Sequence, residues 1–327
     1  MSKTTVNWAV YGPGFIANAF AMDFPHSDKN RLVAVGARRL EKAQEYAEKY
    51  GLKKAYGKLE DLAKDPEIDV VYVATTTRSH YEIMKTLLKA GKHVLAEKEI
   101  TMNAAQFEEC MKLAKENNVI IAEGLTSHYE PVMAFMKKKI AAGEYGKLHF
   151  VTVTCGSLKP YDKNNRYFSP EIGGGAIFDI GCYAIGFANY FLSEYPTKVL
   201  SEGLICDTGV DQKSAYILRN SKDEMATVLI NLRSKTEKIG IIACEDAFIR
   251  IEQFIRAHKA TVTFEDGRIE TYEFPVRQLD AEVEALGDDI LAGNKDCTIC
   301  PAELSLSVLK VMDEARKQWG YKFDFEE

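Results

Sequence analysis

Two clusters in this 327-residue sequence hold side chains able to move a proton. Glu97-Lys98 follows the short apolar run His93–Ala96. The stretch Gly173-Gly-Gly-Ala-Ile-Phe-Asp-Ile-Gly-Cys-Tyr183 sets Asp179 and Tyr183 four apart in a helix-like segment. That spacing is about one helical turn, so both side chains fall on one face. A lysine beside a tyrosine favours the phenolate and helps the phenol give or take a proton near neutral pH. Each also has a plainer reading: Lys98 as an exposed lysine at a strand end, Tyr183 as a half-buried helix aromatic.

A third cluster offers shape instead of acid–base chemistry. Gly12-Pro-Gly-Phe-Ile-Ala17 lies between the apolar run Val6–Tyr11 and the helix-period segment Pro13–Met22. Gly12 suits a tight turn, Gly14 lets the backbone approach a pyrophosphate, and Ala17 lets helix and strand pack closely. The helix start, with Phe15 and Ile16, presents free N–H groups and a partial positive charge to phosphates. Domains that bind NAD usually carry Asp or Glu about 20 residues beyond the glycines, where it accepts from the ribose 2′-hydroxyl. Here that position is Ala37, and Arg38-Arg39 follows. No carboxylate repels a 2′-phosphate, and a guanidinium can pair with one through its planar fork. The expected cofactor is NADP, with NAD as the lesser option; the alternative is a solvated basic loop before a helix.

The elements that must position these residues follow from periodicity. Val6–Tyr11, Leu32–Ala37, Asp69–Ala74, His93–Ala96 and Val119–Glu123 are apolar strand-like runs. Between them lie helix-like segments at Pro13–Met22, Leu40–Tyr50, Ser79–Ala90 and Ala104–Asn117. Strands apolar throughout, separated by amphipathic helices, mean a parallel sheet covered on both faces. This predicts an α/β chain whose residues 1–124 form a doubly wound Rossmann domain. After Gly146, six strand-like segments between Leu148 and Glu252 are interrupted by one helix candidate, Ala176–Phe191. Residues 125–327 are therefore expected to form a substrate-binding and dimerisation α+β domain with a large, mostly antiparallel open sheet. The tail from Asp280 returns to helical periodicity and is free to pack back on the first domain.

Composition narrows the class. Hydrophobic residues make up 46%, and 42 Lys+Arg against 48 Asp+Glu leave a net charge of −6, which gives no reason to expect nucleic acid or an anionic membrane as partner. The start Met-Ser-Lys-Thr-Thr lacks a secretory pattern, and seven scattered cysteines read as reduced thiols of a cytoplasmic protein. Cys297 and Cys300 form a lone CxxC that reads as a loop before Pro301, and no metal site is expected.

Taken in order, Gly12-x-Gly-x-x-Ala17, Ala74-Thr-Thr-Thr-Arg-Ser-His80, Glu97-Lys98 and Gly174-Gly-x-x-x-Asp179-x-Gly-x-Tyr183 resemble the motifs of the glucose–fructose oxidoreductase/inositol dehydrogenase/MocA family. The likeness is strongest to its dimeric dihydrodiol dehydrogenases and NADP-dependent sugar dehydrogenases, and it spans essentially the whole chain. Thr208-Gly-Val-Asp211 and Pro301-Ala-Glu-x-Ser305 add to it. The resemblance implies that Lys98 orients a substrate hydroxyl and supports proton transfer, that Tyr183 is the acid/base, and that Asp179 binds substrate hydroxyls with Arg166 and His128. It also implies that Thr75, Thr76, His80, Glu97 and Lys98 line the nicotinamide half of the cofactor, although His80 equally suits a core position at a helix start. Three departures stand out: Glu99 and Thr76 occupy places where proline is usual, and Glu123–Pro131 lacks the Trp and Arg that related dehydrogenases often carry. The implied activity is hydride transfer between nicotinamide and a sugar-like or diol alcohol or carbonyl, in a homodimer or higher homo-oligomer. A redox-neutral sugar-modifying enzyme with tightly held cofactor, or a non-catalytic nucleotide sensor, are the alternatives.

Overall fold

A computed structural model describes residues 3–25 and 27–326. The chain divides into two compact units, one reaching to Thr126 and joined by Gln278–Ala302, the other formed by Ser127–Arg277 and the residues from Glu303 onward.

The first unit holds six parallel strands: β1 (Val6–Tyr11), β2 (Asn30–Gly36), β3 (Lys54–Tyr56), β4 (Val70–Val73), β5 (His93–Glu97) and β6 (Ile121–Gly124). Their order is β3-β2-β1-β4-β5-β6. Every residue of β4 is buried, as a strand covered on both faces requires. The covering helices are α1 (Phe15–Asp23), α2 (Leu40–Tyr50), α3 (Leu59–Lys64), α4 (Thr77–Lys89) and α5 (Ala104–Glu116). On α4 the buried residues are His80, Met84, Leu87 and Leu88, a stripe of helical period. The strand order reverses between β1 and β4, and such a switch point opens a crevice at the carboxyl ends of the strands. A further helix, Asp280–Ala292, packs its buried Ala281, Val283 and Leu286 in this unit against β1 and β2. The boundary expected after residue 124 thus falls after 126, and residues 278–302 group with the first unit.

The second unit begins with α6 (Pro131–Ala141), whose Pro131 opens the helix where no backbone N–H is needed. Its sheet has eight strands: β7 (Leu148–Gly156), β8 (Lys198–Ile205), β9 (Asp211–Arg219), β10 (Met225–Asn231), β11 (Ile239–Cys244), β12 (Ala247–Glu252), β13 (Lys259–Phe264) and β14 (Ile269–Glu273). The order is β14-β13-β12-β11-β7-β10-β9-β8, antiparallel except for the central β7–β10 pair. Period-2 alternation leaves one face buried and one open. Val151, Val153, Val228, Ile230 and Ile242 point to the buried face, which is covered by a helical segment from Ile177 to Phe191. That segment opens as a π-helix, Ile177–Gly181, and continues as α7 (Cys182–Phe191). Phe187 packs so closely on Gly240 of β11 that a methyl there would collide with its ring. The open face carries Leu200, Leu204, Ile217, Leu229, Phe248 and Ile269, all exposed. A last helix runs over Ala302–Gln318. No helix among the described residues is long and apolar enough to cross a membrane.

Candidate functional site

Gly12 follows β1 at φ +97°, a region open chiefly to glycine. Its amide donates to the Gly36 carbonyl at 3.0 Å. A methyl at Gly12 would stand 2.6 Å from Thr75 Cγ2 and 3.0 Å from the Ala74 carbonyl oxygen, so the turns after β1 and β4 touch. Gly14 is different. It precedes α1 at φ −92°, no side chain caps that helix, and a methyl built on Gly14 meets nothing within 4 Å. An open space over a helix start with no side-chain cap fits a pyrophosphate, which takes the amide hydrogens and the partial positive charge together. Phe15 is almost wholly exposed, Ile16 is half-buried, and Ala17 is buried with its carbonyl accepting from the Tyr46 hydroxyl.

At the end of β2, Ala37 is buried and its amide donates to the Tyr56 carbonyl at 2.9 Å. Arg38 and Arg39 are the first exposed side chains beyond it, and Arg39 leads into α2. After β4, Ser79 donates to Thr75 Oγ1 at 2.8 Å and to the Thr76 carbonyl at 2.7 Å. Thr76 itself is exposed.

His80 has no exposed surface. Its Nδ1 lies 3.0 Å from the Glu99 carbonyl and its Nε2 3.1 Å from the Thr75 carbonyl. Burial lowers its pKa, although the carbonyl contacts act in the opposite sense. The ring therefore braces the Thr75 turn against the segment after β5 from within. On that segment Glu97 accepts from the Tyr72 hydroxyl, and Lys98 is half-buried. The Lys98–Glu99 peptide is cis, and Glu99 is only 2% exposed. The next amide, of Ile100, donates to Glu123 Oε1 at 3.0 Å.

In the second unit Asp179 and Tyr183 sit on the helical segment 177–191, each partly exposed while most of its neighbours are buried. Arg166 Nη2 lies 3.7 Å from Asp179 Oδ1, so the two expected substrate-binding residues stand side by side. Next to them is Tyr167, which sequence reading passed over. Its ring has the Arg166 guanidinium at 4.2 Å and the Lys159 ammonium at 4.3 Å. Burial raises the Tyr167 phenol, but bonding to Lys159 and Arg166 outweighs it and the net shift is downward. Its position directly after Arg166 was the available signal. His128 is fully buried: its ring meets Ser127 Oγ at 3.1 Å and the Gly186 carbonyl of α7 at 3.2 Å, and stands edge-on to Tyr190. It is thus a brace under the helix. Among the described residues, no three His, Cys, Asp or Glu side chains gather as a metal cluster.

Comparison with known proteins assigns both units. Residues 6–125 match the family described as "Oxidoreductase family, NAD-binding Rossmann fold", and residues 133–270 match the "GFO/IDH/MocA C-terminal domain". A trans-1,2-dihydrobenzene-1,2-diol dehydrogenase of Xenopus tropicalis is 30% identical over 330 residues, covering 97% of this chain and 98% of the relative. A scyllo-inositol 2-dehydrogenase (NADP(+)) of Bacillus subtilis is 29% identical over 324 residues, covering 96% and 97%. Among solved structures, an aldose-aldose oxidoreductase from Caulobacter crescentus complexed with glycerol superposes with a TM-score of 0.87 at 21% identity, covering 97% and 98%.

The open space at Gly14 separates binding from folding. Gly14→Ala is expected to leave the thermal midpoint unchanged, since its methyl meets nothing, while weakening dinucleotide binding by about tenfold or more by crowding the phosphates. Calorimetry and fluorescence titration with NADP and NAD measure the two. Unchanged affinity would remove the pyrophosphate from this turn.

Proposed function

The chain belongs to the glucose–fructose oxidoreductase/inositol dehydrogenase/MocA family of oxidoreductases, and from that premise we propose that it is an NADP-preferring dehydrogenase or reductase of a sugar-like or diol substrate. What supports the cofactor most directly is the exposed Arg38-Arg39 pair beyond β2, with buried Ala37 where a carboxylate would exclude a 2′-phosphate. The NADP(+) named for the Bacillus subtilis relative points the same way. Gly12, Gly14, Phe15 and Ile16 would hold the pyrophosphate, and Thr75, Thr76, Glu97 and Lys98 the nicotinamide half.

A bound nicotinamide would supply hydride transfer to or from an alcohol carbon, which leaves the proton on the oxygen for residues of the chain to exchange. In this reading Tyr183 exchanges that proton and Lys98 orients the substrate hydroxyl. Asp179, with Arg166 beside it, binds neighbouring hydroxyls. The substrate classes named for the relatives, a cyclic diol and an inositol, both present adjacent hydroxyls of this kind. The seven cysteines, all among the described residues, form no disulfide, and we place the protein in a reducing, cytoplasmic setting.

We also assign the open sheet face to a second copy of the chain. Leu200 of β8 faces Ile217 of β9 in register, and Leu229 lies on the neighbouring β10, all exposed. An exposed apolar stripe across several strands marks an association surface.

Three outcomes test these assignments. Arg38→Ala should weaken NADP binding by more than tenfold, because losing one charge-assisted contact costs about 1.5–3 kcal/mol, and should leave NAD binding nearly unchanged. Equal affinity of the wild type for both cofactors would defeat it. Tyr183→Phe should lower kcat by about 10²–10⁴ with little change in NADP affinity. Turnover of scyllo-inositol and trans-1,2-dihydrobenzene-1,2-diol, followed by absorbance of reduced cofactor, provides the measurement, and near wild-type kcat would exclude the phenol. Ile217→Lys should convert a dimer to monomer in sedimentation velocity, whereas a monomeric wild type would refute the sheet-face assignment.

A further inference from the structure

Asp211, the first residue of β9, is a charge-bearing side chain that the proposed chemistry does not use, and it has no exposed surface. Both carboxylate oxygens lie 3.1 Å from the Ile177 amide, which donates to them at the start of the helical segment 177–191. Ser214 Oγ donates to Oδ2 at 3.2 Å and meets the Tyr216 hydroxyl at 3.0 Å. Gly175, at φ +115°, admits the carboxylate: a methyl there would stand 2.6 Å from Oδ1. Asp179 then follows two residues after Ile177, and its own amide donates to the Gly175 carbonyl at 3.0 Å. Tyr183 lies one further turn along.

We propose that Asp211 is a positioning residue: its carboxylate caps the helix that carries Asp179 and Tyr183, and so holds both where the chemistry proposed above requires them. An anion at a helix start is favoured by the axial dipole and accepts amide hydrogens that have no partner within the helix. This inference rests on the assigned roles of Asp179 and Tyr183, but the cap itself does not.

The cap is sensitive to pH. Burial pushes the Asp211 carboxyl up to about 6, against the opposing hydrogen bonds from Ile177 and Ser214. The titratable groups around it are Tyr216 on its own strand and Tyr321 in the C-terminal segment, with Cys206 beyond β8 near Tyr321; Asp179 is the acidic residue in the first turn of the capped helix. Burial raises both phenols, which keeps them neutral in this range. Arg316, beside Tyr321, is engaged by Asp313 and Glu326. Because the folded carboxyl titrates above the unfolded value of about 3.9, the stability that Asp211 contributes is fully present below that value and is lost as pH rises through about 6. The capping charge appears over the same interval. Stability and positioning therefore change in opposite directions with pH, which an ordinary packing role would not produce.

Asp211→Asn keeps the size of the side chain and removes its charge; Ser214→Ala removes a donor to the carboxylate. In the full-length wild type, amide hydrogen exchange across residues 175–183, corrected for intrinsic rate, should lose about tenfold in protection as pH falls through about 6. In Asp211→Asn protection should be low and independent of pH, with a thermal midpoint at alkaline pH no lower than wild type. In Ser214→Ala the transition should move to higher pH, because the charged form has lost a hydrogen bond, and this variant carries the test if Asp211→Asn does not fold. The kcat for the diol or inositol should follow the same curves while NADP affinity stays level. Wild-type protection in Asp211→Asn, or a transition unmoved in Ser214→Ala, would overturn the cap. If exchange behaves as expected and Tyr183→Phe lowers kcat but Asp211→Asn does not, the positioning role is overturned. If neither variant lowers kcat, the assignment of Tyr183 fails and the cap stands.

Discussion

The close approach of Gly12 to Thr75 is the constraint on which the carboxyl edge of the first unit depends. A side chain on Gly12 would force apart the turns after β1 and β4. Thr75 in turn gives its carbonyl to His80, and the other nitrogen of that ring meets the carbonyl of Glu99, the residue after Lys98. Three successive strand ends are thereby tied through one glycine and one buried imidazole. Packed interiors yield little to compression, so a displacement at one of these turns is passed to the others. The lysine is held by the same contacts that shape the phosphate turn.

The second unit fixes its helix by different means. His128 bonds to the Gly186 carbonyl midway along it, Phe187 seats against bare backbone at Gly240, and Asp211 meets its first turn. These contacts fall on the buried side and at the start, which leaves the other side, with Asp179 and Tyr183, partly open. Arg166 and Lys159 reach that side from the preceding loop and converge on the Tyr167 ring. The helix is held along its buried side and at its start, and the groups beside its open side are cations on flexible stems.

Much of this was legible in the sequence, and the reasons differ by element. The strands of the first unit announce themselves because burial on both faces makes them apolar throughout, and the glycine turn because its spacing serves one geometry. β13 and β14 were not foreseen: Lys259–Phe264 alternates with threonines and Ile269–Glu273 is mostly polar, so neither forms an apolar run. β3 is three residues long, too short to show a period. Asp179 and Tyr183 were legible as residues of one helix face, and Arg166 stands beside Asp179, but the buried positions of His80 and His128 could not be read from residue type. A histidine that braces backbone and one that meets a ligand look alike until their surroundings are known. Asp211 was visible only as part of a family-like string, because its partner, the Ile177 amide, is a backbone group 34 residues away.

The parallel pairing of β7 with β10 has a consequence for how such an enzyme can change over generations. Parallel neighbours cannot be joined by a hairpin, so the chain between them must cross the sheet, and the helix bearing Asp179 and Tyr183 is part of that crossing. Shifting the helix would disturb the register of the two central strands, a change felt by the whole sheet. The amides of Ser157 and Lys159 still donate to the carbonyls of Asn231 and Leu232 at the end of β10, but the irregular stretch 160–172 that follows forms no strand of the sheet. Inheritance is thus divided within a few residues: the helix that carries Asp179 and Tyr183 is a fixed bequest of the topology, while the adjoining loop is free to drift.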